Sequence, residues 1–153
     1  MNVIPTAAHL ILSEAPRIPI AIRVVPQMRL IRTLELPLAL NPNRPDWFGD
    51  WCFQCEGISH LRHLRKLELA VVPFGYSASY QWLVRNWQEL RDRVLSDLRN
   101  LLALVPLREV DFFHAGRQYN WSSDLAEPCP RTGVYGSRWQ VVDGVFNRVP
   151  FHS

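Results

Sequence analysis

The chain has 153 residues, 48% of them hydrophobic and 20% charged, which fits one globular domain and excludes a disordered polymer. The net charge is only +3, and sixteen of the 17 basic residues are Arg, Lys66 being the one lysine. These arginines are spread along the chain without a basic run, which argues against a nucleic-acid partner. No stretch approaches the ~18 apolar residues of a membrane span, so no membrane partner is expected either.

The first eleven residues lack a basic n-region, and Pro5, Glu14 and Pro16 interrupt the apolar stretch around them, which is unlike a secretory signal. Three cysteines, an odd count without an export signal, point to free thiols in a reducing compartment, cytoplasm or nucleus.

In chain order, Ile18, Ile20, Ile22 and Val24 alternate with Arg17, Pro19, Ala21 and Arg23 and predict a strand, with Pro19 favouring a sheet edge. A hexamer follows at residues 31–36 (IRTLEL) and returns at 64–69 (LRKLEL) and 107–112 (LREVDF). Its pattern, apolar–Arg–x–apolar–acid–apolar, alternates as a half-buried strand does. The unequal spacing suggests a degenerate repeat of strand–helix units.

Between the first two hexamers, residues 41–50 (NPNRPDWFGD) read as a loop, and 58–64 allow a short helix of about two turns. Between the second and third, Leu83, Trp87, Leu90, Val94, Leu98, Leu101 and Val105 step by three or four residues. They predict a helix over 79–105 that Pro106 stops. Residues 118–136 read as a long loop, and 139–146 as a short strand or hairpin turning at Asp143-Gly144.

The expected fold is therefore α/β: a mainly parallel, repeat-derived sheet of about four strands under one long covering helix, with an irregular C-terminal region. One domain spans 1–153, its repeat-like part at 18–116 and an irregular extension at 117–153.

The three hexamers, the preceding VPQMRL at 25–30 and the acidic–apolar strand ends resemble a broad group of filamentous-fungal proteins of unknown function. These have an F-box-like start followed by irregular leucine-rich repeats. The resemblance covers roughly residues 18–116 and implies an adaptor or interaction protein. Residues 1–16 lack the Leu-Pro-x-Glu-type opening of an F-box.

Four constellations are candidates for chemistry. Cys52, Cys55, His60 and His63 form C-x2-C-x4-H-x2-H, ligand types suited to tetrahedral zinc. Classical fingers separate the Cys and His pairs by about a dozen residues, and the alternative is two cysteines packed beside Trp51 with two surface histidines. No stoichiometric cofactor is expected, zinc being the competing reading. Trp51-Cys52-Phe53-Gln54-Cys55 also resembles the thioredoxin W-C-x-x-C, but with a proline-rich loop before it.

Gly75-Tyr76-Ser77-Ala78-Ser79, between a strand and a helix, approaches a hydrolase nucleophile elbow but has Ser where the fifth position requires Gly. Ser77 or Ser79 reads better as a helix N-cap, and His114 alone stands where a base would be needed. The fourth candidate is the repeat itself. Glu35, Glu68 and Asp111 share one register position and would form an acidic row on the exposed sheet face. Such a row would bind a basic protein partner or be solvated and relieved by nearby arginines. The leading expectation is a non-enzymatic protein-interaction or adaptor module using that face; the alternative is a small zinc-stabilised protein.

Overall fold

A computed structural model describes residues 9–11, 30–40, 47–73, 77–115, 127–128 and 134–151. Within them lie strands β1 (His9–Ile11), β2 (Thr33–Leu40), β3 (Lys66–Pro73), β4 (Glu109–Ala115), β5 (Glu127–Pro128), β6 (Val134–Val142) and β7 (Val145–Val149). Two helices accompany them, α1 (Trp47–Ile58) and α2 (Ser77–Asn100). All the described strands join one seven-stranded sheet in the order β1-β2-β3-β4-β6-β5, with β7 also paired to β6.

The expected sheet needs correcting. β1 to β4 pair in parallel, but β4–β6, β5–β6 and β6–β7 are antiparallel, so the sheet is mixed. A mainly parallel four-stranded sheet under a single long helix gives way to seven strands and two helices. The part expected to be irregular carries the antiparallel half. Its tight turn does fall at Asp143-Gly144, both at positive φ (54° and 75°). Left-handed conformations at both residues suit a two-residue hairpin, and Asp-Gly is a favoured pair for it.

The repeat governs the parallel half. Leu34 pairs with Leu67 and Leu67 with Val110; Leu36 pairs with Leu69 and Leu69 with Phe112. These six side chains are fully buried in one core with Trp51 and Ile58 of α1 and Trp87, Val94 and Leu98 of α2. The alternation places all six on one face of the sheet. Trp87 meets Phe112 edge to face at 5.2 Å between ring centroids, which fixes α2 against β4. β6 extends the same face with Trp139, over which the Arg91 guanidinium of α2 lies 5.0 Å from the ring centroid.

Two elements differ from expectation. Residues 47–50 belong to α1 rather than a loop, because Trp51, Gln54 and Ile58 bury one side of that helix. Asp46, directly before it in sequence, is a residue type preferred at helix starts. α2 ends at Asn100, and the chain continues to Val105 in tightened turns, such as Leu101 N–H to the Leu98 carbonyl (3.0 Å). Pro106 disfavours helical geometry at Val105, which is consistent with this early close. The strand expected over 18–24 lies outside the described residues, and β1 was not anticipated.

Gly136 of β6 is required by its neighbour, since a Cβ there would collide with the Phe112 carbonyl. The Trp87 indole N–H is buried without an acceptor among the described residues, a cost of about 1–3 kcal/mol that burial of the large ring must exceed. Replacing Trp87 by Ala should therefore destabilise the fold by about 3–5 kcal/mol. Chemical denaturation checks this, and a loss under ~1 kcal/mol would mean that α2 does not anchor the core.

Candidate functional site

The second face of the sheet carries the hexamers' polar positions. Register places Thr33 beside Lys66 and Lys66 beside Glu109, and one step further Glu35 beside Glu68 and Glu68 beside Asp111. The antiparallel strand β6 then sets Gln140 opposite Glu109 and Arg138 opposite Asp111. The acidic row therefore exists. Neighbouring strands stand ~4.8 Å apart, and at an effective dielectric of ~20 two carboxylates at that spacing repel by roughly 3 kcal/mol.

Two cations offset that repulsion. Lys66 Nζ lies 3.4 Å from Glu68, 3.2 Å from Glu109 and 3.5 Å from Asp111. Arg138 forks onto Asp111, Nε to Oδ1 at 2.9 Å and Nη2 to Oδ2 at 3.0 Å, and its Nε also approaches Glu109 at 3.3 Å. Lys66 is the chain's sole lysine, and its position gives a reason. An ammonium offers three donors around a compact charge and meets three carboxylates at once, which a planar guanidinium fork does less well. Burial pulls the Lys66 ammonium pKa down, but Asp111 and Glu109 overcome this and hold it above its ordinary value. Burial pushes the Glu109 carboxyl up, yet hydrogen bonds from Gln140 and Lys66, with the charges of Lys66 and Arg138, hold it below 4.5.

Glu68 and Asp111 are only 7% and 5% exposed. Their carboxylates are therefore poorly placed to receive a partner, and they serve the sheet instead. Glu35, at the outer end of the row, is half-buried. The Phe151 ring caps the other end, with Arg138 5.1 Å from its centroid and its own amide donating to Glu127 Oε1 at 2.9 Å.

Relief by a nearby arginine comes from Arg138, joined by Lys66: the two cations pair with Glu68, Glu109 and Asp111, and Arg32, Arg65 and Arg108 take no part. Arg138 was missed because it lies 27 residues from Asp111 in sequence. The signal available was a basic residue in the alternation of 134–142, uninterpretable until β6 is known to pair with β4.

Arg32, Arg65 and Arg108 are free for something else. They stand at the strand starts, exposed, with no side-chain ion pair or hydrogen bond among the described residues. Their backbones are stitched together. The amides of Arg65 and Lys66 donate to the Arg32 carbonyl (2.8 and 3.0 Å), and those of Arg108 and Glu109 to the Arg65 carbonyl (2.7 and 3.1 Å). The Val141 amide donates to the Arg108 carbonyl at 2.8 Å. An open depression of about 510 Å³ lies along this rim, lined by Arg65, Lys66, Arg108, Glu109, Gln140 and Val141.

The Cys/His constellation is dispersed. Cys52 and Cys55 sit on α1 as free thiols, while His60 and His63 are exposed in the turns before β3. Among the described residues no three His, Cys, Asp or Glu side chains are placed to hold one ion. The reason is local: α1 runs through both cysteines to Ile58, and Leu61 and Leu64, each next to a histidine, are the side chains that turn into the core. The thioredoxin-like resemblance loses its physical basis as well. α1 begins at Trp47, so Cys52 lies inside the helix and not at its N-terminus, where that motif needs its first cysteine. Burial first, then Asp97 and Cys52, push the Cys55 thiol up to about 12.

His114 is buried on β4 and stacks on Tyr135, ring centroids 6.0 Å apart. The helix begins at Ser77, but residues 74–76 and the side chains of Ser77 and Ser79 lie outside the described set, as does any capping by them. No helix among the described residues is long and apolar enough to cross a membrane. No protein-family model, curated protein or solved structure matches the chain.

Two measurements check this arrangement. Arg138→Ala should cost about 2–4 kcal/mol, because Asp111 keeps only Lys66 as a counter-ion in a poorly solvated place. Arg138→Met with Asp111→Leu should recover most of that loss in urea denaturation, and equal losses for both variants would contradict an electrostatic origin. In the native protein, iodoacetamide should label Cys52 at least about tenfold faster than Cys55, since the thiolate is the nucleophile. Peptide mass spectrometry reads the ratio; equal rates would contradict the raised Cys55 pKa.

Proposed function

We propose that the chain is a non-enzymatic interaction module of the leucine-rich-repeat type, acting in the cytoplasm or nucleus, and that it meets a protein partner along the strand-start rim. The observation that carries this reading is the fate of the hexamer's polar positions. The acids at the fifth position of the second and third copies are buried and ion-paired, whereas the arginine at the second position is exposed in all three copies and engages nothing among the described residues. A long cation held at one place in three successive strands, and not needed by the core, suits recognition in the way repeat proteins use aligned exposed positions. The proposed surface thus shifts from Glu35, Glu68 and Asp111 to the adjoining arginines. A zinc-stabilised protein has no support from the placement of Cys52, Cys55, His60 and His63.

The triple variant Arg32→Ala/Arg65→Ala/Arg108→Ala tests the reading. Exposed substitutions cost under ~0.5 kcal/mol each, so its melting curve should stay close to that of the parent. Quantitative affinity enrichment should show a near-stoichiometric partner depleted about tenfold or more with the variant. Identical recovery of every partner by a folded triple variant would remove the rim as the interaction surface.

A further inference from the structure

Resting on that reading, we propose that the arginine rim binds a phosphate monoester on a side chain of the partner protein, with Arg65 and Arg108 as the two clamps. Adjacent strand starts lie ~4.8 Å apart, so two guanidinium groups on neighbouring strands can close on one tetrahedral anion from either side. Arg supplies planar, bidentate donors that match phosphate oxygens, and charge-assisted bonds of this kind are roughly twice as strong as neutral ones.

The depression between the two arginines is of a size that takes a small ligand group, and its other charged lining is already satisfied. Lys66 and Glu109 face each other at 3.2 Å, and the Gln140 amide donates to Glu109 Oε1 at 3.1 Å. The backbone amides of Arg65, Lys66, Arg108, Glu109 and Val141 are spent on bonds between neighbouring strands. Among the described lining residues, the charged donors left to a ligand are therefore the Arg65 and Arg108 guanidinium groups, with Arg32 one strand further along the rim.

The chemistry favours phosphate over carboxylate. Three exposed cations in a row, unpaired among the described residues, suit a dianion with three acceptor oxygens better than a monoanion with two. It also favours a side-chain phosphate over a nucleic acid. The rim spans only three strand starts, and the whole chain carries +3, whereas nucleic-acid interfaces are larger and strongly basic. Glu109 opposes any anion here, and its ion pairs with Lys66 and Arg138, with the hydrogen bond from Gln140, offset part of that opposition.

Fluorescence anisotropy on the full chain tests this with four probes: a degenerate phosphoserine peptide library, its unphosphorylated form, its glutamate-substituted form, and a 20-nucleotide single strand. The phosphoserine library should bind at least about tenfold more tightly than the other three, with affinity that falls as salt rises. Arg65→Ala/Arg108→Ala should lose about tenfold or more of that affinity, and Arg65→Lys/Arg108→Lys several-fold, while both keep the parental melting curve. Equal binding of the glutamate library would overturn the phosphate assignment. Tighter binding of the oligonucleotide with the same arginine dependence would replace it with nucleic acid. Phosphopeptide binding that survives Arg65→Ala/Arg108→Ala would place the site elsewhere. Rim-dependent partner recovery that persists after phosphatase treatment would overturn the phosphate while leaving the interaction reading standing; loss of rim dependence altogether would remove both.

Discussion

The register of the three hexamers is the constraint from which the rest of the structure follows. With a side-chain period of two, a slip of one residue would send Leu34, Leu36, Leu67, Leu69, Val110 and Phe112 to the opposite face. Each buried side chain of that size is worth roughly 1.5–3 kcal/mol, so six acting together leave no competing alignment. Both helices bury their large residues, Trp51 and Trp87, against the core that this alignment creates.

The same register creates a problem on the other face. Identical pairing of a repeated motif stacks like on like, so Glu35, Glu68 and Asp111 are forced into neighbouring positions. A solenoid could leave such a row to solvent, but here Glu68 and Asp111 are nearly covered. The answer comes from variation between the copies. The third position is Thr33, Lys66 and then Glu109, and only the middle copy places an ammonium among the acids. The non-repeat strand β6 adds Arg138 from the far side, which gives its antiparallel pairing a purpose beyond extending the sheet. A buried ion cluster of this kind contributes more to defining one arrangement than to net stability: any other pairing of β4 and β6 would strand a charge.

Much of this was legible in the sequence. The hexamers gave strand positions, register and the acidic row because they are local patterns repeated three times. The α2 stripe and the Asp143-Gly144 turn were legible for the same reason. What was not legible was long-range. Whether 134–142 joins β4 depends on Arg138 meeting Asp111 and Trp139 meeting Arg91, contacts across 27 and 48 residues that no periodicity encodes. The antiparallel half of the sheet, and with it the true counter-ions, was therefore lost. α1 was hidden by Pro and Gly near its start, and the Cys/His spacing looked like a site because the helix that separates its members had not been seen. The lone lysine stood out only by its count, although it meets three carboxylates.

The arginines then have an explanation that composition could not supply. At the second hexamer position the backbone is held by its neighbours but the side chain is exposed, so neither the core face nor the ion cluster constrains it. A position released in this way in one copy would carry no information. Three copies aligned by the same register, each holding an exposed guanidinium that pairs with nothing among the described residues, make a surface whose spacing is set by the sheet itself. Rigid strands fix such a row more closely than loops would, and recognition gains when donors need no reordering. The burial that makes the acids structural thus also separates them from the arginines: Lys66 and Arg138 pair with Glu68, Glu109 and Asp111, and among the described residues none of the three arginines is drawn back onto the protein.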